Sequence, residues 1–169
     1  MRFCLSLCVP LLMAALACRA PAAPAPDGSP AGVATPQLSA FLAAQEEAEQ
    51  HAGWLAFSGL GESMEPYFTS GTALVVRPVR QAELKEGMAV VYMGPSGIMR
   101  AHLLVKPTPR GWLAMGSHNT SPDDGYVNTD TLIGVIAAAY APAGSPHRTD
   151  VAALGRSLLD RTRGLLAAN

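Results

Sequence analysis

The pattern of apolar and polar positions divides the chain into five stretches of different texture. Residues 1–18, MRFCLSLCVPLLMAALAC, place Arg2 ahead of an apolar run from Phe3 to Ala17 that closes on small residues, the layout of a secretory leader. The run is short for a bilayer span, which takes about 20 apolar residues, and Pro10 interrupts it. A cleaved leader is the first expectation and a retained anchor the alternative. Residues 19–35, RAPAAPAPDGSPAGVAT, are Pro, Ala and Gly with a single acid, a composition that buries too little apolar surface to offset its ordering entropy. They are expected to form a tether.

From residue 36 to Gly53 the signals are those of a helix. Thr35 stands as an N-cap before Pro36 in the first helical position, and Leu38, Phe41 and Leu42 form a short apolar stripe. Glu46, Glu47 and Glu49 are then its solvated face. Over 54–142 the period shortens to short β-rich runs (WLAFS, TALVVRPV, MAVVYM, GIMRAHLLV, GWLAM and LIGVIAAAY) parted by turn signals such as Gly94-Pro95-Ser96-Gly97 and Pro107-Thr108-Pro109-Arg110-Gly111. Strands at this spacing predict a compact, mainly β, antiparallel domain. In the last stretch, 147–169, Val151, Leu154, Leu158, Leu159, Leu165 and Leu166 repeat at helical spacing, with Arg156, Asp160, Arg161 and Arg163 largely off that stripe. An amphipathic helix starting near Thr149 is expected, packed on the domain or lying on a membrane surface.

Charge and cysteine content narrow the function. Twelve Lys and Arg against thirteen Asp and Glu leave a net charge of −1 over 169 residues, with no basic run to neutralise phosphates, so nucleic acid is not an expected partner. Cys4, Cys8 and Cys18 all fall in the leader or at its end, and the body from Arg19 onward has none. The folded domain therefore holds no disulfide, no thiolate nucleophile and no cysteine zinc site. Leu16-Ala17-Cys18 leaves two readings, lipid attachment at Cys18 or an ordinary cut after Ala17.

Three polar positions in the β region stand out. Ser63 lies in GESMEPYF, too short for a helix and too irregular for a strand; a serine there either shapes a turn or acts as a nucleophile. His102 lies in GIMRAHLLV, where Met99, Ala101, Leu103 and Val105 share one apolar face. The alternation turns Arg100 and His102 the other way, toward solvent or another polar group. A strand histidine is often a plain exposed side chain, and it is also the commonest general base for a serine hydroxyl. GSHNTSPDDGYV, residues 116–127, offers Asn119, Ser121, Asp123 and Asp124 either for local backbone hydrogen bonds or for an aspartate that reaches His102 and fixes its tautomer.

In order and spacing, four of these segments resemble the boxes of type I signal peptidases. GESMEPYFTSGTALVV is similar to the nucleophile box, EGMAVVY to a GDVVVY box, AHLLV to the strand that carries the base, and GSHNTSPD to the GDNNPxPD box. The position of the family's base is filled by His102 and not by a lysine, as in the archaeal and endoplasmic-reticulum type, which shares its fold with self-cleaving SOS repressors. The resemblance implies Ser63 as nucleophile, His102 as general base and Asp123, after Pro122, as orienting acid, with Asp124 in reserve. It implies no metal and no cofactor. The chain departs from the pattern where Gly71-Thr72, Gly87-Met88 and Gly116-Ser117 replace Gly-Asp, and where His118 replaces an asparagine. It departs again at Gly61, two places before Ser63, where a serine often supplies an oxyanion donor.

The expected activity is that of an exported serine endopeptidase acting on exported polypeptides, in the periplasm or at the outer face of the cytoplasmic membrane, with Cys18 as the site of any lipid anchor. Two alternatives go with it. One is a catalytically impaired peptide-binding module of the same fold. The other is a self-processing peptidase, with Ala31-Gly32 in the tether as target.

Overall fold

The computed structural model describes residues 35–142, 147–152 and 160. The leader, nearly all of the tether and most of the C-terminal stretch lie outside the described residues. A helix α1 (Pro36–Glu49) is followed by strands β1 (Leu55–Ser58), β2 (Ala73–Arg77), β3 (Ala89–Met93), β4 (Met99–Thr108), β5 (Gly111–Met115), β6 (Leu132–Ala141) and β7 (His147–Asp150). The strands form one seven-stranded sheet in the order β1-β2-β6-β3-β4-β5, with β7 on β6. Every pairing between them is antiparallel. The domain is mainly β, and each of the six β-rich runs in the sequence becomes a strand.

The helix starts where the sequence places it. Thr35 Oγ1 accepts from the Leu38 amide at 3.3 Å, and Pro36 opens the first turn without an N–H to orphan. Its buried face differs in part from the expected one: Phe41 packs on the sheet, but alanines make most of the contact. Ala40, Ala44 and Ala48 pack on Ala73, Val75 and Ala138, while Leu38 and Leu42 are about half exposed, at 47% and 52%. The alanines recur every fourth residue over three turns, and their small side chains let the helix backbone lie close to β2 and β6. Glu47 is also not a plain solvated residue. Arg148 on β7 pairs with it through Nε–Oε2 and Nη2–Oε1, both at 2.8 Å, and Tyr140 Oη donates to Oε2 at 2.7 Å.

Strand β7 corrects the helix expected from residue 147. One edge of β6 is taken by β2, and the other meets β3 only over Leu132–Val135. Beyond the end of β3 that second edge has unpaired backbone groups, and β7 covers them, with Ala138 opposite Asp150 and Ala141 opposite His147. The apolar helical repeat begins only at Val151, and Val151 and Ala152 are helical, as is Asp160. The rest of the predicted helix lies outside the described residues.

Both faces of the sheet are covered. Leu74, Val76, Val91, Leu103 and Ile136 form one core with Met64 and Phe68 from the β1–β2 loop. Val90, Tyr92 and Leu104 form a second with Leu84 and Val127. Neighbours in sequence such as Val90 and Val91 enter opposite cores because side chains alternate along a strand. His102, on the face of the second core, is therefore buried against the polar segment after β5, while Arg100 beside it stays partly exposed. No helix among the described residues is long and apolar enough to cross a membrane.

Candidate active site

Ser63 sits in the loop between β1 and β2, and its neighbours hold the loop in place. Met64 and Phe68 are buried in the first core, and the amides of Tyr67 and Phe68 both donate to the Met64 carbonyl at 3.0 Å. The Glu65–Pro66 bond is cis. The loop after β5 presses against this turn from outside: the His118 amide donates to the Ser63 carbonyl at 2.9 Å, and Ser117 Oγ donates to the Glu65 carbonyl at 3.1 Å. This contact explains Gly116, since a Cβ there would lie 2.4 Å from the Ser63 carbonyl oxygen. It also gives the fully buried Ser117 a job that an aspartate could not do, because a carboxylate facing that carbonyl would set acceptor against acceptor.

His102 reaches the serine from β4. Its Nε2 lies 2.8 Å from Ser63 Oγ, and its Nδ1 is hydrogen-bonded to Asp123 Oδ2. The Asp123 carboxylate is acceptor-only when ionised, so Nδ1 carries the proton and Nε2 is left to accept from the serine hydroxyl. The imidazole and the carboxylate are both nearly enclosed, with 7% and 6% of their side chains exposed. Asp123 is held from behind by its own amide, which donates to the Ala114 carbonyl on β5 at 2.8 Å. Asp124, the reserve candidate, is exposed and makes no bond to His102. The structure thus brings together Ser63, His102 and Asp123.

Two further groups converge on the same carboxylate, and the sequence reading assigned neither of them. Tyr92 Oη donates to Asp123 Oδ2 at 2.6 Å, and Arg100 Nη1 stands 3.7 Å from Oδ1. Burial first, and then the neighbouring carboxylate, push the Tyr92 phenol well above the ordinary tyrosine range, so it stays protonated as a donor. The usable signal was the strand alternation, which sets Arg100 on the His102 face. Tyr92 lies opposite Arg100, and Val90 opposite His102, in the β3–β4 register.

Ser63 opens onto a groove of about 490 Å³ whose walls include Phe57, Leu60, Met64, Phe68, Ile98 and Met99. Leu60, Ile98 and Met99 are exposed along it, so the groove suits an extended apolar or small-residue chain better than a charged ligand. The amide of Ser63 makes no hydrogen bond among the described residues and is available as a donor. Gly61 has φ +96°, a left-handed backbone that disfavours any residue with a side chain, and nothing lies within 4 Å of the place a Cβ would take. The glycine follows from the backbone path of the loop. No three His, Cys, Asp or Glu side chains among the described residues gather as a metal-binding set.

No family model matches the chain, and no curated protein or solved structure matches it either.

Proposed function

We propose that the chain is an exported serine endopeptidase resembling type I signal peptidases of the Ser/His/Asp type, acting on exported polypeptides outside the cytoplasm. The observation that carries this reading is the continuous hydrogen-bonded path from Ser63 Oγ through His102 to Asp123, with the serine end open to an apolar groove. An extended substrate lies in the groove with its scissile carbonyl at Ser63. Nε2 takes the hydroxyl proton as Oγ bonds to the carbonyl carbon, and the Ser63 amide donates to the resulting oxyanion. Asp123 stabilises the imidazolium, which then protonates the departing amine. Water, deprotonated by His102, hydrolyses the acyl-enzyme and restores the serine. These steps use protein groups alone. The leader, with either cleavage after Ala17 or lipid attachment at Cys18, supports the compartment.

The test is labelling of the full chain by an alkyl fluorophosphonate, with the adduct mapped by mass spectrometry, beside cleavage of a panel of exported polypeptides. One adduct at Ser63, lost in Ser63→Ala together with cleavage, is the expected result. A chain that takes no label and cuts nothing ends the reading. Gly61, which offers no side-chain donor for the oxyanion, favours a second reading in which the groove only holds peptides. In that case Ser63→Ala binds exported peptides as tightly as the parent chain and neither protein cleaves them.

A further inference from the structure

The Asp123 carboxylate is approached by more donors than a serine–histidine pair needs, and they draw on its two oxygens unequally. Oδ2 takes both His102 Nδ1–H and the Tyr92 hydroxyl, the latter at 2.6 Å, while the Arg100 guanidinium draws on Oδ1 from 3.7 Å. A guanidinium satisfies a carboxylate best in a two-bond fork. Forming that fork would turn Asp123 about its Cβ–Cγ bond and move Oδ2 away from the imidazole. Arg100 has room to do so, since its side chain is 29% exposed, whereas Tyr92 is almost wholly buried in the second core with Val90, Leu104 and Val127. The phenol is thus a rigid donor on the oxygen that the imidazole uses, and the arginine, which also lies against the phenol oxygen, is the more mobile group facing the other.

We propose that Tyr92 is a positioning residue, whose hydroxyl holds Asp123 Oδ2 against the pull of Arg100 and so keeps His102 in the tautomer that accepts from Ser63. The inference rests on the serine-peptidase reading for its catalytic consequence, but the hydrogen-bond arrangement can be read without catalysis. The ring alone would be served by phenylalanine, which fills the same space in the second core, so the hydroxyl is what the proposal concerns.

The experiment follows two quantities on the full chain: the low-field proton resonance of His102 Nδ1–H, and the second-order rate of fluorophosphonate labelling. In Tyr92→Phe the carboxylate turns toward Arg100, the resonance moves to higher field, and labelling falls about tenfold. Adding Arg100→Met to that variant removes the competing pull and recovers most of the loss, a rescue that a purely structural tyrosine would not give. Arg100→Met alone changes a partly exposed side chain and moves the resonance to lower field, because charge withheld by the guanidinium returns to the imidazole. This variant carries the test if Tyr92→Phe does not fold. A resonance that stays in place in Arg100→Met overturns the proposal, as does labelling of a folded Tyr92→Phe within about twofold of the parent. Absence of the resonance from the parent chain overturns it too. A parent chain that shows the resonance and its predicted shifts but takes no label keeps the Tyr92 assignment and ends the peptidase reading. A parent chain that labels at Ser63 while the resonance ignores the substitutions does the reverse.

Discussion

Two clusters in this molecule are built from the same three side chains, a carboxylate, a tyrosine and an arginine, and they do different work. At Glu47, Arg148 forms a two-bond pair at 2.8 Å and Tyr140 adds a third donor at 2.7 Å. At Asp123, the tyrosine is as close, at 2.6 Å, but the arginine is held off at 3.7 Å and an imidazole takes its place. In the first cluster the carboxylate's charge is spent on a guanidinium that fastens β7 to α1. In the second it is withheld from the guanidinium and directed to a histidine that leads to a serine. The difference shows that a carboxylate held off from its neighbouring guanidinium keeps an oxygen for the imidazole, whereas one engaged in the two-bond fork does not.

The largest expected effect is on the reacting end of the second cluster. Ser63→Ala should lower phosphonate labelling and any peptide cleavage by about a thousandfold or more, measured as initial rates against the parent chain. Asp123→Asn, which donates where the imidazole needs an acceptor, should cost about a hundredfold to ten-thousandfold in the same assay, with a far smaller loss for Asp124→Asn. Equal losses for the two aspartates would break the comparison, since only Asp123 touches His102.

Next in size is the contact that joins the Ser63 loop to the loop after β5. Gly116→Ala puts a Cβ 2.4 Å from the Ser63 carbonyl oxygen and must displace one of the two loops. A loss of about 1–3 kcal/mol in urea unfolding is expected, accompanied by slower labelling. Unchanged stability would show that the two loops are not held against each other.

The smallest effect sharpens the comparison from the side of the Glu47 cluster. The Arg148 guanidinium, followed by the Tyr140 phenol, holds the Glu47 carboxyl below the usual carboxylate range in spite of its partial burial. A carboxyl whose folded pKa is depressed adds stability above its unfolded pKa and loses it as pH falls through the folded value. Glu47→Gln should therefore lower the melting temperature by a few degrees at neutral pH, for a loss of about 1 kcal/mol with a partly exposed arginine. The two proteins should converge in acid, below the range in which Glu47 titrates, and labelling of Ser63 should be unaffected. A constant difference down to the most acid conditions would mean that packing, and not the ion pair, secures β7.

Much of this was visible in the sequence because it rests on local rules. Five or six strands followed from short β-rich runs between Gly and Pro turns, and the helix start from Thr35-Pro36. Ser63 and His102 stood out because a serine in an irregular turn and a histidine in a strand are conspicuous, whereas the choice of Asp123 within residues 116–127 rested on the resemblance to the signal peptidase boxes. What stayed hidden depends on pairing between distant segments. Strand β7 exists because β6 outruns β3, which no feature of His147–Asp150 announces. The alanine face of α1 was masked by Leu38 and Leu42, since larger apolar residues dominate any reading of periodicity although smaller ones allow the closer approach. Tyr92 reads as an ordinary core residue until the β3–β4 register sets it across from Arg100.

Gly61 bears on how this groove could be engineered. Its φ of +96° is a conformation that glycine adopts freely and serine resists, at a cost of about 1–2 kcal/mol, although the space outside it is empty. Placing a hydroxyl donor there by a single substitution would strain the backbone that presents Ser63, so gain and damage would arrive together. A designer adding a donor beside Ser63 would do better to rebuild residues 59–62 as a loop of different path, with the Met64 and Phe68 anchors retained, than to add one oxygen to the present one.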